Sequence, residues 1–329
     1  MTRFHSPDFK ISRKGKWYAI APAIIIITGL IIVLTINFNL GIDFTGGQLI
    51  EVRGEMTTSE AATHRETIQN FMNNVDHPIG RFEVRPARNA QTGGMLIEVF
   101  FQNGSVSDAE ITNVANQIAL GLREIFGTGS GIAVDNMQGV SASATGEHVV
   151  TTVIAVGVAL IAILIYMLFR FKFTSGVAAL VGLVHDVLVM LAVTAIFRVP
   201  VNAAFVAALI TVVAYSINNT LILFDRIRHL EKNNTLKESP EQITDRAVKE
   251  TFTRTMLTMV TTLVPIMILL IAGVPLIREF AAPILFGLVA GTFSTIFVAT
   301  SLYVRFETYR TRMVKNKKQL ETKQPVVVE

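Results

Sequence analysis

Cysteine is absent from the 329-residue sequence, which excludes disulfides and thiolate metal sites. Charged residues are also scarce: they make up 16% of the chain, against about 25% in soluble domains. The sequence shows no nucleotide-binding loop, no zinc-ligand spacing and no hydrolytic triad, so we expect no enzymatic activity, no cofactor and no metal site. With 51% hydrophobic residues, the shortage of charge indicates a membrane protein rather than a soluble domain.

The positive charge of the chain lies in short runs next to apolar segments. The net charge is +4 and the isoelectric point is about 9.4, values that also suit a nucleic-acid-binding protein. Basic runs beside apolar segments are instead typical of membrane topology, and we expect no nucleic-acid partner. Most lysines and arginines share one side if both termini are cytoplasmic, so the positive-inside rule predicts that orientation.

Six apolar segments each have about the length of a membrane-spanning helix. They predict a polytopic α-helical membrane protein with six transmembrane helices, at residues 17–36, 149–169, 176–197, 203–224, 255–272 and 281–304. Residues 1–16 are then a cytoplasmic N-terminus, residues 149–304 hold the last five helices, and residues 305–329 form a basic cytoplasmic tail with a disordered end. No small-residue cleavage site follows the first segment, so we interpret it as a retained helix.

Residues 40–147 have the composition of a soluble domain. Their pattern predicts strands at 48–53, 81–85, 95–101 and 131–137 and helices at 58–74 and 107–126. Pro86 and a turn at Gly93-Gly94 are predicted to lie between the second and third strands. This βαββαβ order predicts a ferredoxin-like α+β domain. In the orientation above, the domain is extracytoplasmic and lies between the first and second transmembrane helices.

A glycine-rich motif, GIDFTGG (41–47), joins the first helix to this domain. Its three glycines, Gly41, Gly46 and Gly47, predict a tight turn with positive φ. Asp43 and Thr45 have side chains that bond nearby backbone in such turns. The motif is therefore interpreted as a structural hinge, and the alternative is a functional role for its polar residues.

Polar groups interrupt two of the apolar segments, and intramembrane polar side chains often mark a functional path. His185 and Asp186 fall near the middle of the third segment, as either a packed polar pair or a protonatable site. Asp225 and Arg226 end the fourth segment and suit a solvated pair at the membrane boundary. The same segment carries a polar cluster that either joins helices by hydrogen bonds or lines an ion path: Ser216, Asn218, Asn219 and Thr220.

The fifth and sixth segments carry two further signals. Arg254 begins the fifth segment, where a lone arginine needs an anionic or polar partner. It borders a predicted polar face that comprises Thr255, Thr258 and Thr262. In the sixth segment, Gly287 and Gly291 form a G-x-x-x-G pattern that permits close helix contact.

Taken together, these motifs resemble those of the SecF family. The resemblance depends on GIDFTGG (41–47), VHD (184–186), YSINNT with FDRIR (215–228), TRT (253–255) and the glycine-rich sixth segment, and it covers nearly the whole chain. SecF proteins are membrane subunits of the bacterial protein-export machinery within the resistance-nodulation-division (RND) superfamily. The resemblance implies a six-helix bundle in the bacterial inner membrane with a ferredoxin-like outer domain.

The family also implies partners and a mechanism. A SecD subunit with a similar bundle, the SecYEG translocon, and YidC and YajC are the implied partners, and unfolded preproteins are the implied substrates. Such a pair promotes late translocation or release of preproteins with the proton or sodium gradient. By motif position, Asp43 belongs to the start of the outer domain, while Asn219 and Arg254 line the ion path at the SecD interface.

The sequence departs from the family pattern at two places. The family's V-G-P motif after the outer domain is Met137-Gln138-Gly139 here, and the departure that bears on ion coupling is Asn219. That pattern has aspartate where this chain has Asn219, and an amide does not titrate. His185-Asp186 does not compensate specially, because the family also has that pair. Two alternatives therefore stay open: a non-conducting structural subunit that stabilises SecD and the translocon, and a small RND-type transporter.

Overall fold

The computed structural model describes residues 17–74, 82–88, 95–102, 108–127, 131–140, 142–234, 238–272 and 275–323. In chain order the elements are α1 (Ile20–Ile36), α2 (Ile42–Thr45), β1 (Gly47–Arg53), α3 (Thr58–Asn74), β2 (Phe82–Arg88), β3 (Met95–Gln102), α4 (Asp108–Phe126), β4 (Ala133–Val140), α5 (Ala142–Arg170), α6 (Phe173–Ile196), α7 (Ala203–Lys232), α8 (Pro240–Ala272), α9 (Pro275–Phe293), a π-helical segment (Ser294–Ala299) and α10 (Thr300–Lys323). The predicted N-terminal segment 1–16, the turn at Gly93-Gly94 and the helix start at Ser107 lie outside the described residues.

Apolar helices make up most of the structure. Within the described residues, five stretches are long and apolar enough to cross a membrane: Val149–Met167, Phe173–Ile196, Ala203–Lys232, Pro240–Ile271 and Ile277–Val314. Helix α1 is also apolar but has 17 residues. That length gives about 26 Å, against about 30 Å of hydrocarbon. The first predicted span is thus shorter than expected, because the regular helix starts at Ile20.

Small residues bring some of these helices close together, while two helices stay largely uncovered. Gly29 of α1 lies against Ala192 of α6, and Gly287 of α9 lies against Val212 of α7. In contrast, an 18-residue apolar window of α5 contains no buried residue, and the corresponding window of α8 is 6% buried. The apolar sides of α5 and α8 are therefore available to lipid or to another protein.

Helices α7 and α8 continue beyond the predicted ends of their spans, at residues 224 and 255. The polar link expected between them is mostly helical, because Ile227 and Ile243 are buried in a shared core. Charged residues pair on its surface, as Arg226 does with Glu250. Helix α10 likewise continues the last span as far as Lys323, into the tail that was expected to be disordered.

A four-stranded antiparallel sheet follows the first helix, in the order β2-β3-β1-β4. The elements have the βαββαβ order that the sequence predicted. Helices α3 and α4 cover one face, where Ile50, Val99 and Leu122 are fully buried. The prediction that the second strand ends before Pro86 is wrong, since Pro86 pairs with Ile97 inside β2. An edge strand such as β2 tolerates a residue without an N–H group.

Candidate functional site

Helices α6 and α7 meet at a buried carboxylate. Asp186 of α6 has 0% exposure. Its Oδ1 lies 3.0 Å from Nδ1 of His185, and its Oδ2 accepts a hydrogen bond from the Ser216 hydroxyl of α7. Both carboxylate oxygens therefore have a partner, as a buried polar group requires. The structure unites residues that the sequence placed on separate helices, and we call His185, Asp186 and Ser216 the Asp186 group.

Helix α9 closes the Asp186 group with a glycine. A β-carbon at Gly291 would lie 3.4 Å from Asp186 Oδ2 and 3.2 Å from Ser216 Cβ. One turn earlier, Gly287 lies against Val212, which is one turn before Ser216. The predicted G-x-x-x-G contact is thus made between α9 and α7. Sequence reasoning missed that Gly291 borders the carboxylate, although the matching four-residue spacings on the two helices carry that signal.

His185 leaves one ring nitrogen available. Its side chain is 13% exposed, and Nε2 is buried without a hydrogen-bond partner among the described residues. When Nδ1–H of a neutral imidazole donates to Asp186, Nε2 keeps a free lone pair. An imidazole beside a carboxylate can take up and release a proton. Within the described part of the chain, no group of three or more His, Asp or Glu side chains could hold a metal ion.

The polar cluster of α7 divides between two sides of the helix. Asn219 lies three residues after Ser216, is 5% exposed and makes no hydrogen bond within the described residues. Thr220 shares a hydrogen bond of 3.0 Å with Thr295 of the π-helical segment, and π turns are frequent at functional sites. Asn218 is exposed on the other side. The inward residues therefore pack next to α9 and the π-helical segment.

Asp225 and Arg226 do not pair with each other. Asp225 binds Arg170 of α5 at 3.0 Å, and Arg226 binds Glu250 of α8. The predicted pair is not formed, because each side chain has a partner of opposite charge on a neighbouring helix. The two ion pairs instead tie α7 to the helices on either side of it.

Arg254 lies in an open cleft between α7 and α8. The cleft has a volume of about 510 Å³. It is lined by Ile222, Asp225, Arg226, His229, Glu250, Thr251 and Arg254. Arg254 is exposed and has no ion pair or hydrogen bond, to Asn219 or to any other described residue. The two residues that the resemblance implies on the ion path are thus not hydrogen-bonded to each other in the described structure.

Two of the threonines beyond Arg254 donate hydrogen bonds to their own helix. Thr262 donates to the Thr258 carbonyl at 2.9 Å, and Thr261 donates to the Leu257 carbonyl at 2.9 Å. Threonine hydroxyls commonly bond back to the preceding turn in this way. The predicted polar face of α8 is therefore less polar than its composition suggests.

The glycine-rich motif contacts the far end of the bundle. Asp43 Oδ2 accepts a hydrogen bond of 2.9 Å from the backbone N–H of Ala203, the first residue of α7. A carboxylate at this position satisfies a free N–H group and favours the helix dipole. Asp43 was expected to bond local backbone and does not. Thr45 does so, through the Gly41 carbonyl at 3.2 Å.

Backbone hydrogen bonds continue this contact into a seam between residues 37–45 and 198–203. The N–H of Gly41 donates to the Val201 carbonyl, and the N–H of Val201 donates to the Asn39 carbonyl, each at 2.8 Å. Gly46 and Gly47 follow with φ of 68° and 150°, as their glycine content predicted. The seam therefore fixes the segment before β1 to the start of α7.

Asn202 reinforces the seam, and the sequence analysis overlooked it. Its Oδ1 accepts from the Phe205 N–H at 3.0 Å, and its amide donates to Glu279 of α9. Asparagine before a helix is a recognised N-cap signal, so this part was visible in the sequence. The bond to Glu279, 77 residues away, was not.

The structure thus defines a polytopic helical membrane protein with an α+β unit after its first helix and a buried polar group among its helices. The family model "Protein export membrane protein SecD/SecF, C-terminal" matches residues 123–309, and the model "SecD/SecF GG Motif" matches residues 32–58. The second match contains the glycine-rich motif of the seam. The chain belongs to the SecD/SecF family, as a member of the SecF type.

Curated relatives and solved structures agree. Protein translocase subunit SecF of Vibrio alginolyticus is 32% identical over 81% of this chain and 80% of its own length. The SecF subunit of Escherichia coli O157:H7 is 27% identical over 95% and 92%. A crystal structure of SecDF from Thermus, titled a translocon-associated membrane protein, matches with a TM-score of 0.75 and 27% identity over 94% of this chain. The chain spans 40% of that SecDF chain.

Proposed function

We propose that this chain is an accessory subunit of the bacterial Sec export machinery. It works with SecD in the inner membrane and promotes late translocation or release of preproteins with the proton or sodium gradient. In this proposal six helices span the membrane and both termini are cytoplasmic. Residues 40–147 form an extracytoplasmic ferredoxin-like domain, a name supported by the sheet order β2-β3-β1-β4. The SecF relatives and the SecDF structures support the assignment.

The observation that supports the proposal is that one helix, α7, contacts both the seam and the Asp186 group. Its first residue, Ala203, is bound by Asp43 of the seam. Thirteen residues later Ser216 binds the buried carboxylate of Asp186, about 20 Å away along the helix axis. A helix is stiff over that distance, so a shift of α7 at Ser216 reaches the start of the outer domain.

Ion binding at the Asp186 group supplies the shift. An ionised Asp186 holds Ser216 and His185 as hydrogen-bond partners, and burying that charge is costly unless those partners stay in place. Once a proton neutralises the carboxylate, the charge-assisted bonds to α7 weaken. Gly291 brings α9 close to α7 with no side chain between them, so a shift of Ser216 acts directly on α9.

Asp186→Asn tests this mechanism in a SecD complex reconstituted with SecYEG. The amide keeps the size of the side chain and removes its titration, so gradient-driven export should fall while SecD still copurifies. Asp225→Asn is the matched control, because Asp225 is a carboxylate of the same helix bundle with 51% side-chain exposure. Wild-type export by the Asp186 variant would contradict the mechanism.

A structural subunit that conducts nothing is the second candidate, and Asn219 is the observation that favours it. Its buried amide stands where the family has a titrating carboxylate, and Arg254 has no acidic partner among the described residues. Arg254→Gln separates the two candidates, since loss of export with SecD assembly intact rejects a purely structural role. Asn219→Asp should change the ion dependence of export if this position lies on the ion path.

Copurification from native membranes tests the partners directly. Recovery of SecD and SecYEG with this chain supports the export role, and YidC and YajC are further expected components. Absence of both SecD and SecYEG in mild detergent would favour a small RND-type transporter that acts alone. The neighbouring SecD half is expected because the SecDF chains are much longer than this one.

A further inference from the structure

We propose that the cleft between the ends of α5 and α7 binds the headgroup of an anionic phospholipid. The proposal rests on the membrane orientation given under the proposed function, which places this end of both helices at the cytoplasmic surface. It does not depend on ion coupling or on export activity. It concerns residues to which the coupling mechanism assigns no part.

The cleft contains more positive than negative charge. It has a volume of about 510 Å³ and is lined by Arg170, Asp225, Arg228, His229 and Lys232. Asp225 is its only carboxylate, and Arg170 already binds both oxygens of Asp225, at 3.0 and 3.3 Å. The charges of Arg228 and Lys232 have no acidic partner among the described residues. An anion is the ligand that this lining lacks.

Two cations are arranged for a phosphate group. Arg228 and Lys232 are four residues apart on α7, so they share one side of the helix. Arg228 Nη1 donates to the backbone carbonyl of Arg170 at 3.3 Å, which holds the guanidinium beside the Arg170 side chain. A guanidinium binds phosphate oxygens in pairs, and a lysine adds a mobile point charge. Basic pockets between helices on the cytoplasmic side suit lipid headgroups.

The apolar surface next to the cleft favours a lipid over a free phosphate ion. Helix α5 leads directly to Arg170, and the 18-residue apolar window within this helix contains no buried residue. Phe169 and Phe173, on either side of Arg170, are 89% and 73% exposed. Acyl chains that lie along α5 would therefore place a headgroup at the level of the cleft. A soluble phosphate would use the cations but not this surface.

Native mass spectrometry of the full chain, released from membranes of phosphatidylcholine and phosphatidylglycerol, tests the proposal. The double variant Arg228→Gln with Lys232→Gln should bind phosphatidylglycerol about 30-fold more weakly, as expected for two lost cation contacts. The control is Arg305→Gln with Arg312→Gln, which removes the same charge from exposed positions of α10. The control should keep wild-type binding, and phosphatidylcholine binding should be equal in all three proteins.

Three results obtained with this chain alone would overturn the proposal. They are unchanged phosphatidylglycerol binding in the cleft variant, equal loss in the control, and displacement of the lipid by millimolar inorganic phosphate, which would assign the cleft to a free anion. A fourth is displacement of the lipid when SecD is added, because a protein surface would then cover the cleft.

The orientation on which the proposal rests has its own test. The chain has no cysteine, so Lys232→Cys introduces a single label site. Labelling from the cytoplasmic side supports the orientation, and labelling from the outer side overturns both proposals. Lipid binding is measured in the absence of export, and export is measured at constant lipid composition. Failure of the lipid-binding proposal is therefore distinguishable from failure of the proposed export function.

Discussion

Replacing Gly287 with alanine should separate the two helices that enclose the Asp186 group. A β-carbon at this position would lie 2.5 Å from Val212 Cγ1 and 3.0 Å from Val212 Cβ. Carbon atoms pack at about 3.5–4.0 Å, so α7 and α9 must move apart by about 1 Å. Overpacking of this kind destabilises a well-packed core by about 1–3 kcal/mol. In a bilayer, close van der Waals packing is a main source of helix association, so we expect a loss within that range.

A second substitution makes this prediction specific. Val212→Ala removes both γ-carbons, so the double variant should be more stable than Gly287→Ala alone by roughly 1 kcal/mol or more. Gly157→Ala is the control, because a β-carbon there meets nothing within 4 Å. Alanine also has the higher helix propensity, so this control should be neutral or slightly stabilising.

Unfolding of the full chain in mixed micelles, driven by an increasing fraction of sodium dodecyl sulfate, gives the free energies of unfolding of the wild type and the four variants. The reasoning is refuted if Gly287→Ala unfolds like the wild type, or if the effects of Gly287→Ala and Val212→Ala simply add. Destabilisation by Gly157→Ala of the same size would also refute it, since the effect would then belong to any glycine of the bundle.

Two further predictions concern helix starts, and hydrogen exchange read by mass spectrometry checks both. Asp43→Ala removes the acceptor of the Ala203 N–H, so the first turn of α7 should open about fivefold more often, as expected when a helix cap that contributes about 1 kcal/mol is lost. Asp43→Asn keeps an acceptor and should cause a smaller change. Equal effects of the two variants would contradict the capping role. At the start of α3, hydrogen bonds from Thr57 hold the pKa of Glu60 below its ordinary value of 4.5. The bond from the backbone N–H has the larger effect and the bond from the hydroxyl the smaller one. Because the folded pKa is the lower one, this stabilisation is complete above pH 4.5 and is lost as the pH falls through the folded pKa. The hydrogen-exchange protection of the α3 amides, corrected for intrinsic exchange rates, should therefore fall at acidic pH in the wild type and stay constant in Glu60→Gln. The same pH dependence in both proteins would contradict the prediction.

Local sequence patterns predicted much of the fold. Helix α3 has the bounds 58–74 that its periodicity predicted, because its cap and its apolar face are both encoded within a few residues. The reciprocal bonds between Thr57 and Glu60 are a capping box of the kind the sequence signals. Pro86 shows the limit of such reasoning, since a proline ends a strand only if its N–H group is needed. Whether β2 is an edge strand depends on the order of the whole sheet.

The candidate site was less predictable, because its contacts join distant parts of the chain. Asp43 was recognised as a turn residue, yet its partner Ala203 is 160 positions away. Ser216 and Asp186 were each identified as intramembrane polar residues. Their hydrogen bond depends on the rotation of α7 against α6, and that rotation is set by contacts such as Gly287 with Val212. Periodicity gives the face of one helix but not the neighbour that the face meets.

Because the amide of Asn219 does not titrate, the Asp186 group is the stronger candidate for ion binding in this chain. Asp186 is the only acidic residue, and His185 the only histidine, in the six predicted apolar segments. If an ion is bound by a titrating group within these segments, that group therefore includes Asp186 or His185. If the titrating group belongs to SecD instead, Asp186→Asn should leave the ion dependence of export unchanged, while Arg254→Gln should alter it. Comparing the two variants in one complex thus identifies which subunit carries the proton.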